Sequence, residues 1–85
     1  MIFALQTIMT SYKEDVFSDI EFFDSYEKAE KRFNSYKESF KSSTNYKENG
    51  NEDEHTIKGE RKIFYYCSDE GEEYQLEIIP VENIQ

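Results

Sequence analysis

One stretch of the chain repeats its aromatic residues with the period of a helix. Tyr26, Ala29, Phe33, Tyr36 and Phe40 follow one another at steps of three and four, the spacing that lines one helical face. A helix over residues 24–42 follows. Asp24 stands three residues before Glu27, a capping-box spacing, and Ser25 is an alternative N-cap. Between the aromatics lie Glu27, Lys28, Glu30, Lys31, Arg32, Lys37, Glu38 and Lys41, so the outer face is solvated and close to neutral. A narrow aromatic stripe of this kind has to be buried against something, and the remainder of the chain decides what.

That remainder has strand character. Ile2 to Tyr12 is β-branched, aromatic and uncharged, and Val16 to Phe23 alternates Ile20 and Phe22 with Asp19 and Glu21; the two segments read as a hairpin over residues 1–23. Arg61 to Cys67 has high β propensity, a turn follows at Ser68 to Gly71, and Glu72 to Ile78 alternates with Tyr74, Leu76 and Ile78 inward. A second hairpin is therefore expected over residues 57–80, with Pro80 closing its last strand. Residues 43–56 are polar, and Asn45 to Glu54 contains no aliphatic side chain, so this stretch reads as an acidic loop. The expected fold is α+β: a ββαββ chain forming a four-stranded antiparallel sheet with one helix on one face.

At 85 residues the chain makes one small domain, too short to enclose a catalytic cavity between two domains. It offers one cysteine, Cys67, and one histidine, His55, so neither an internal disulfide nor a Cys/His metal set is possible. Cys67 reads as a small buried hydrophobe and His55 as a surface residue at a loop edge. Asn49 to Glu60 spaces oxygen donors like a calcium loop, but Glu54 occupies the turn position that needs glycine, and a strand rather than a helix follows. No cofactor, no metal and no enzymatic activity are expected.

Charge is the more informative property. The net charge is −9, and its distribution is uneven. Residues 1–23 carry one base and four acids, a balance of −3; residues 24–42 carry five bases and four acids, +1; residues 43–85 carry four bases and eleven acids, −7. Such a chain is repelled by phosphate backbones, whereas a basic protein surface attracts it, so direct nucleic-acid binding is not expected. The acidic residues Glu48, Glu52, Asp53, Glu54, Asp69, Glu70, Glu72 and Glu73 are the candidates for engaging such a surface, with Tyr46, Tyr66 and Tyr74 as aromatic anchors. The alternative is a homodimer. If Ile20 and Phe22 face the helix, Phe17 and Phe23 turn to the other sheet face, and if Ile63 and Tyr65 face it, Phe64 and Tyr66 turn away. Phe17, Phe23, Phe64 and Tyr66 would then mediate self-association.

In its length, its acidic hairpin and loop, and its single helix beside a sheet, the chain resembles the small acidic proteins that phages and mobile elements direct against host defence, including anti-CRISPR proteins and other nucleic-acid mimics. The resemblance implies an inhibitor of a basic, nucleic-acid-binding protein. No apolar run approaches the roughly 20 residues that span a membrane, and Met1 to Thr10 lacks signal-peptide character, so a cytoplasmic location is expected, in the host cytoplasm if the protein is phage-encoded.

Overall fold

A computed structural model describes residues 1–10, 16–42, 50–68 and 71–81. Two strands, β1 (Ile2–Thr10) and β2 (Val16–Phe23), lead into α1 (Tyr26–Lys41), and three strands follow: β3 (Asn51–Ile57), β4 (Arg61–Cys67) and β5 (Glu73–Val81). They form one antiparallel sheet in the order β2-β1-β5-β4-β3, so the described residues make an α+β fold with five strands rather than the four expected. The added strand is β3, which occupies part of the stretch expected to be an acidic loop. Its sequence, NEDEHTI, carries no period-two apolar pattern because every residue of this edge strand is exposed. Pairing with β4 holds it, through a turn in which the Ile57 carbonyl accepts from the Glu60 N–H at 3.0 Å and Gly59 takes a left-handed φ of 80°.

The helix lies where its sequence placed it. Ser25 is the N-cap, its hydroxyl accepting from the Lys28 N–H at 3.2 Å, while Asp24 instead pairs with the Lys28 ammonium at 3.0 Å. Ser42 ends the helix by returning its N–H and hydroxyl to the Glu38 carbonyl. Tyr26, Ala29, Phe33 and Phe40 are buried and Tyr36 packs at the margin of the same core.

The sheet meets this stripe with Phe3, Leu5, Phe64, Tyr66, Tyr74, Leu76 and Ile78. Stacking is extensive: Phe40 lies 4.7 Å from Tyr74, Tyr74 lies 5.6 Å from Tyr66, and Phe3 meets Tyr26 edge-on at 5.9 Å. Pro80 sits inside β5, not at its end. β4 pairs with β5 from Glu73 to Ile78, so beyond Ile78 one side of β5 is open and a residue without an N–H costs no ladder bond there.

Removing the Phe33 side chain, which is fully buried beneath the helix, should destabilise the fold by about 3–5 kcal/mol. Ser25→Ala, which removes the cap alone, should cost about 1 kcal/mol. Urea unfolding followed by circular dichroism measures both, and the order of the two effects checks the assignment.

Candidate interaction surface

Residue parity along the strands divides the sheet into a face beneath the helix and a face that no described element covers. The expected phase is inverted on two strands. Phe17 and Phe23 of β2 share the helix side with Met9 and Phe3, their register partners, and Phe64 and Tyr66 of β4 are fully buried there. Ile20 and Phe22, opposite Gln6 and Ala4, point to the open face, as do Ile63 and Tyr65. Phe64 and Tyr66 therefore belong to the core and present nothing to a second copy. The cause is their partners: Leu76 and Tyr74 of β5 lie opposite them, and all four must share the helix side.

The expected acidic surface is also redistributed. Glu72 is buried, its Oε2 without a hydrogen-bond partner, and Tyr74 is buried against Phe40, so neither is available to a partner as expected. Tyr46, Glu48, Asp69 and Glu70 lie outside the described residues. Glu52 and Glu54, on the helix side of β3, receive cations from the helix: Lys41 reaches Glu52 at 3.2 Å and Lys37 reaches Glu54 at 2.8 Å. On the opposite edge Arg32 reaches Glu21 of β2 at 3.2 Å; on β4, inside the β3 edge, Lys62 pairs with Glu30 at 3.2 Å above the Phe33 ring. The basic residues of the helix thus brace both edges of the sheet, and acids that looked available in the sequence are neutralised within the fold.

What stays outward is a smaller set. Asp53 projects from the open side of β3 beside His55, whose Nε2 lies 3.4 Å from its carboxylate; both are exposed. Glu77 sits mid-face between Gln6 and Ile63, and Glu73 accepts from the Tyr65 hydroxyl at 3.1 Å. Desolvation and then that bond to a carboxylate push the Tyr65 phenol up to about 12. Around these polar groups the face carries Ile8, Ile63 and Ile79, half-buried, and Val16, Ile20 and Phe22, exposed by 65%, 52% and 66%. A depression of about 180 Å³ lies at one end, lined by His55, Ile57, Arg61, Ile63 and Glu77 among others.

Cys67 is half-buried on this face with its thiol directed at the Ser68 carbonyl, 3.5 Å away. His55 pairs with Ile63 and Cys67 with Asn51, four positions apart along the β3–β4 ladder, so the two cannot act as a nucleophile and base. The calcium-loop spacing is spent on strand β3, where successive side chains point to opposite faces. Sequence reasoning missed Ile20, Phe22 and Ile63 as surface residues; the alternation is visible, but only the register against β1 and β5 assigns its face.

Because the raised phenol holds its proton in the folded state, its contribution to stability is present below pH 10 and lost as pH rises toward 12. A spectrophotometric tyrosine titration should show a late-ionising component, and Tyr65→Phe should reduce it. A double-mutant cycle on Lys37 and Glu54 should give a coupling of about 0.5–1 kcal/mol that shrinks in high salt.

No family model matches the chain, and neither a curated protein nor a solved structure shows significant similarity to it.

Proposed function

We propose that this chain is a small acidic protein-interaction domain, an inhibitor that docks its helix-free sheet face and adjoining edge on a basic surface of a nucleic-acid-binding protein. The observation that carries the proposal is the uncovered face, where exposed Val16, Ile20 and Phe22 adjoin a surface holding Glu77, Glu73 and Asp53. Apolar area of this kind supplies binding energy, while carboxylates on the same surface select and steer a cationic partner. The same sign of charge opposes direct contact with a phosphate backbone. No catalysis is assigned to the domain, and its effect on the partner is occlusion of a surface otherwise used by nucleic acid.

A second copy of the chain is the competing occupant, favoured by the aliphatic character of Ile8, Ile63 and Ile79. Face-to-face pairing would desolvate two Glu77 carboxylates in one interface, a substantial cost without matching cations. A cationic partner offsets that cost directly.

Calorimetric titration against purified cationic nucleic-acid-binding proteins tests the proposal. Binding should weaken about tenfold or more as salt rises from roughly 50 to 200 mM, should compete with the partner's nucleic acid, and should be abolished by Asp53→Lys with Glu77→Lys. These two acids are chosen because reversing Glu52 or Glu54 would also break the brace to the helix. Binding indifferent to salt and to both reversals would sink the reading, as would a stable dimer whose formation those reversals block.

A further inference from the structure

The two edges of the sheet are built differently. β3 is charged or polar along nearly its whole length, and Lys37 and Lys41 of the helix hold its acids, features that discourage another strand from adding there. β2 has a single contact of this kind among the described residues, Arg32 to Glu21. It is bonded on one side, to β1, so on its outer side alternate N–H and C=O groups meet no described strand. Its sequence, VFSDIEFF, contains neither lysine nor proline, and Val16, Phe17, Ile20 and Phe22 are all more than half exposed.

We infer that β2 is a strand-addition site that takes an extended segment of another protein in which apolar residues alternate with Lys or Arg. Two chemically distinct rows specify that alternation. On the open side an incoming strand would lie beside Val16, Ile20 and Phe22, and on the helix side beside Asp19 and the Arg32-paired Glu21, with Phe17 and Phe23 at the two ends of that row. Cross-strand neighbours on one face contact each other, so apolar side chains fit the first row and cations the second. Backbone bonds supply affinity and the two rows supply selectivity.

The chain's own β2 does not satisfy this pattern. In the two longest antiparallel registers that keep the helix side of β2 facing the helix side of its copy, Asp19 falls opposite Asp19 or opposite Glu21, and like charges directly opposed destabilise a pair. Parallel pairing about a twofold would send the two helices to opposite sides of the joined sheet and place Asp19 and Glu21 of one copy beside the apolar row of the other. A basic, alternating segment escapes both penalties. This inference deepens the preceding proposal and rests on it for the cationic character of the partner.

The test uses the full chain, labelled with nitrogen-15, and three synthetic peptides: alternating Val and Lys, the same composition with Val and Lys in separate blocks, and alternating Val and Glu. The alternating Val-Lys peptide should shift and protect from exchange the amides of Val16–Phe23, leaving Asn51–Ile57 unchanged. Asp19→Lys should weaken it about fivefold and Ile20→Lys by about tenfold; both residues are exposed, so the core signals of Phe33 and Tyr66 report an intact fold. The inference is overturned if this peptide does not bind at millimolar concentration, if the blocked peptide protects β2 equally, or if the changes map to β3. It is equally overturned if β2 becomes protected with rising protein concentration and no peptide, since a second copy then occupies the edge. Salt-dependent binding of cationic proteins with β2 unaffected would defeat the edge site and leave the functional proposal standing. Strand addition with no cationic protein bound would defeat the functional proposal alone.

Discussion

One helix lies across a five-stranded sheet, and that mismatch of coverage governs the rest of the molecule. The aromatic stripe from Tyr26 to Phe40 packs on Phe3, Leu5, Phe64, Tyr66, Tyr74, Leu76 and Ile78, closing a core made largely of stacked rings. A helix is too narrow to reach beyond the central strands with its apolar face. At the margins its long basic side chains take over, with Arg32 extending to Glu21 on one edge and Lys37 and Lys41 to Glu54 and Glu52 on the other. Core packing at the centre and ion pairs at the rim are therefore two parts of one solution.

The brace changes what the net charge means. An acidic balance concentrated after residue 42 suggests a surface free to attract cations, but part of it is matched internally across the helix–sheet interface. Glu72 is removed from the surface altogether by burial. The acids left on the open side, Asp53, Glu73 and Glu77, stand among aliphatic residues, which makes the surface amphipathic rather than uniformly acidic.

Local signals in the sequence were strongest where one element carries its own periodicity. The helix stripe, the Ser42 stop and the inward triplet Tyr74, Leu76 and Ile78 were legible because each is set by spacing within a few residues. β3 was not, since NEDEHTI buries no side chain and exists by pairing with β4. The aromatic pairs carry a legible alternation but not its phase: spacing allows Phe64 and Tyr66 to turn away from the helix, yet they are the largest side chains beneath it on β4.

The amino-acid sequence determined that an amphipathic helix would share a small α+β domain with antiparallel strands, and that the chain would carry a net charge of −9. Only the tertiary structure decided which face each strand presents, which acids the helix neutralises and how each sheet edge is held. The physical reason lies in range. Helical spacing and turn chemistry act between near neighbours, whereas register joins Phe3 to Phe23 and Pro80, and Glu54 to Phe64 and Lys37, residues whose relation exists once the sheet has closed.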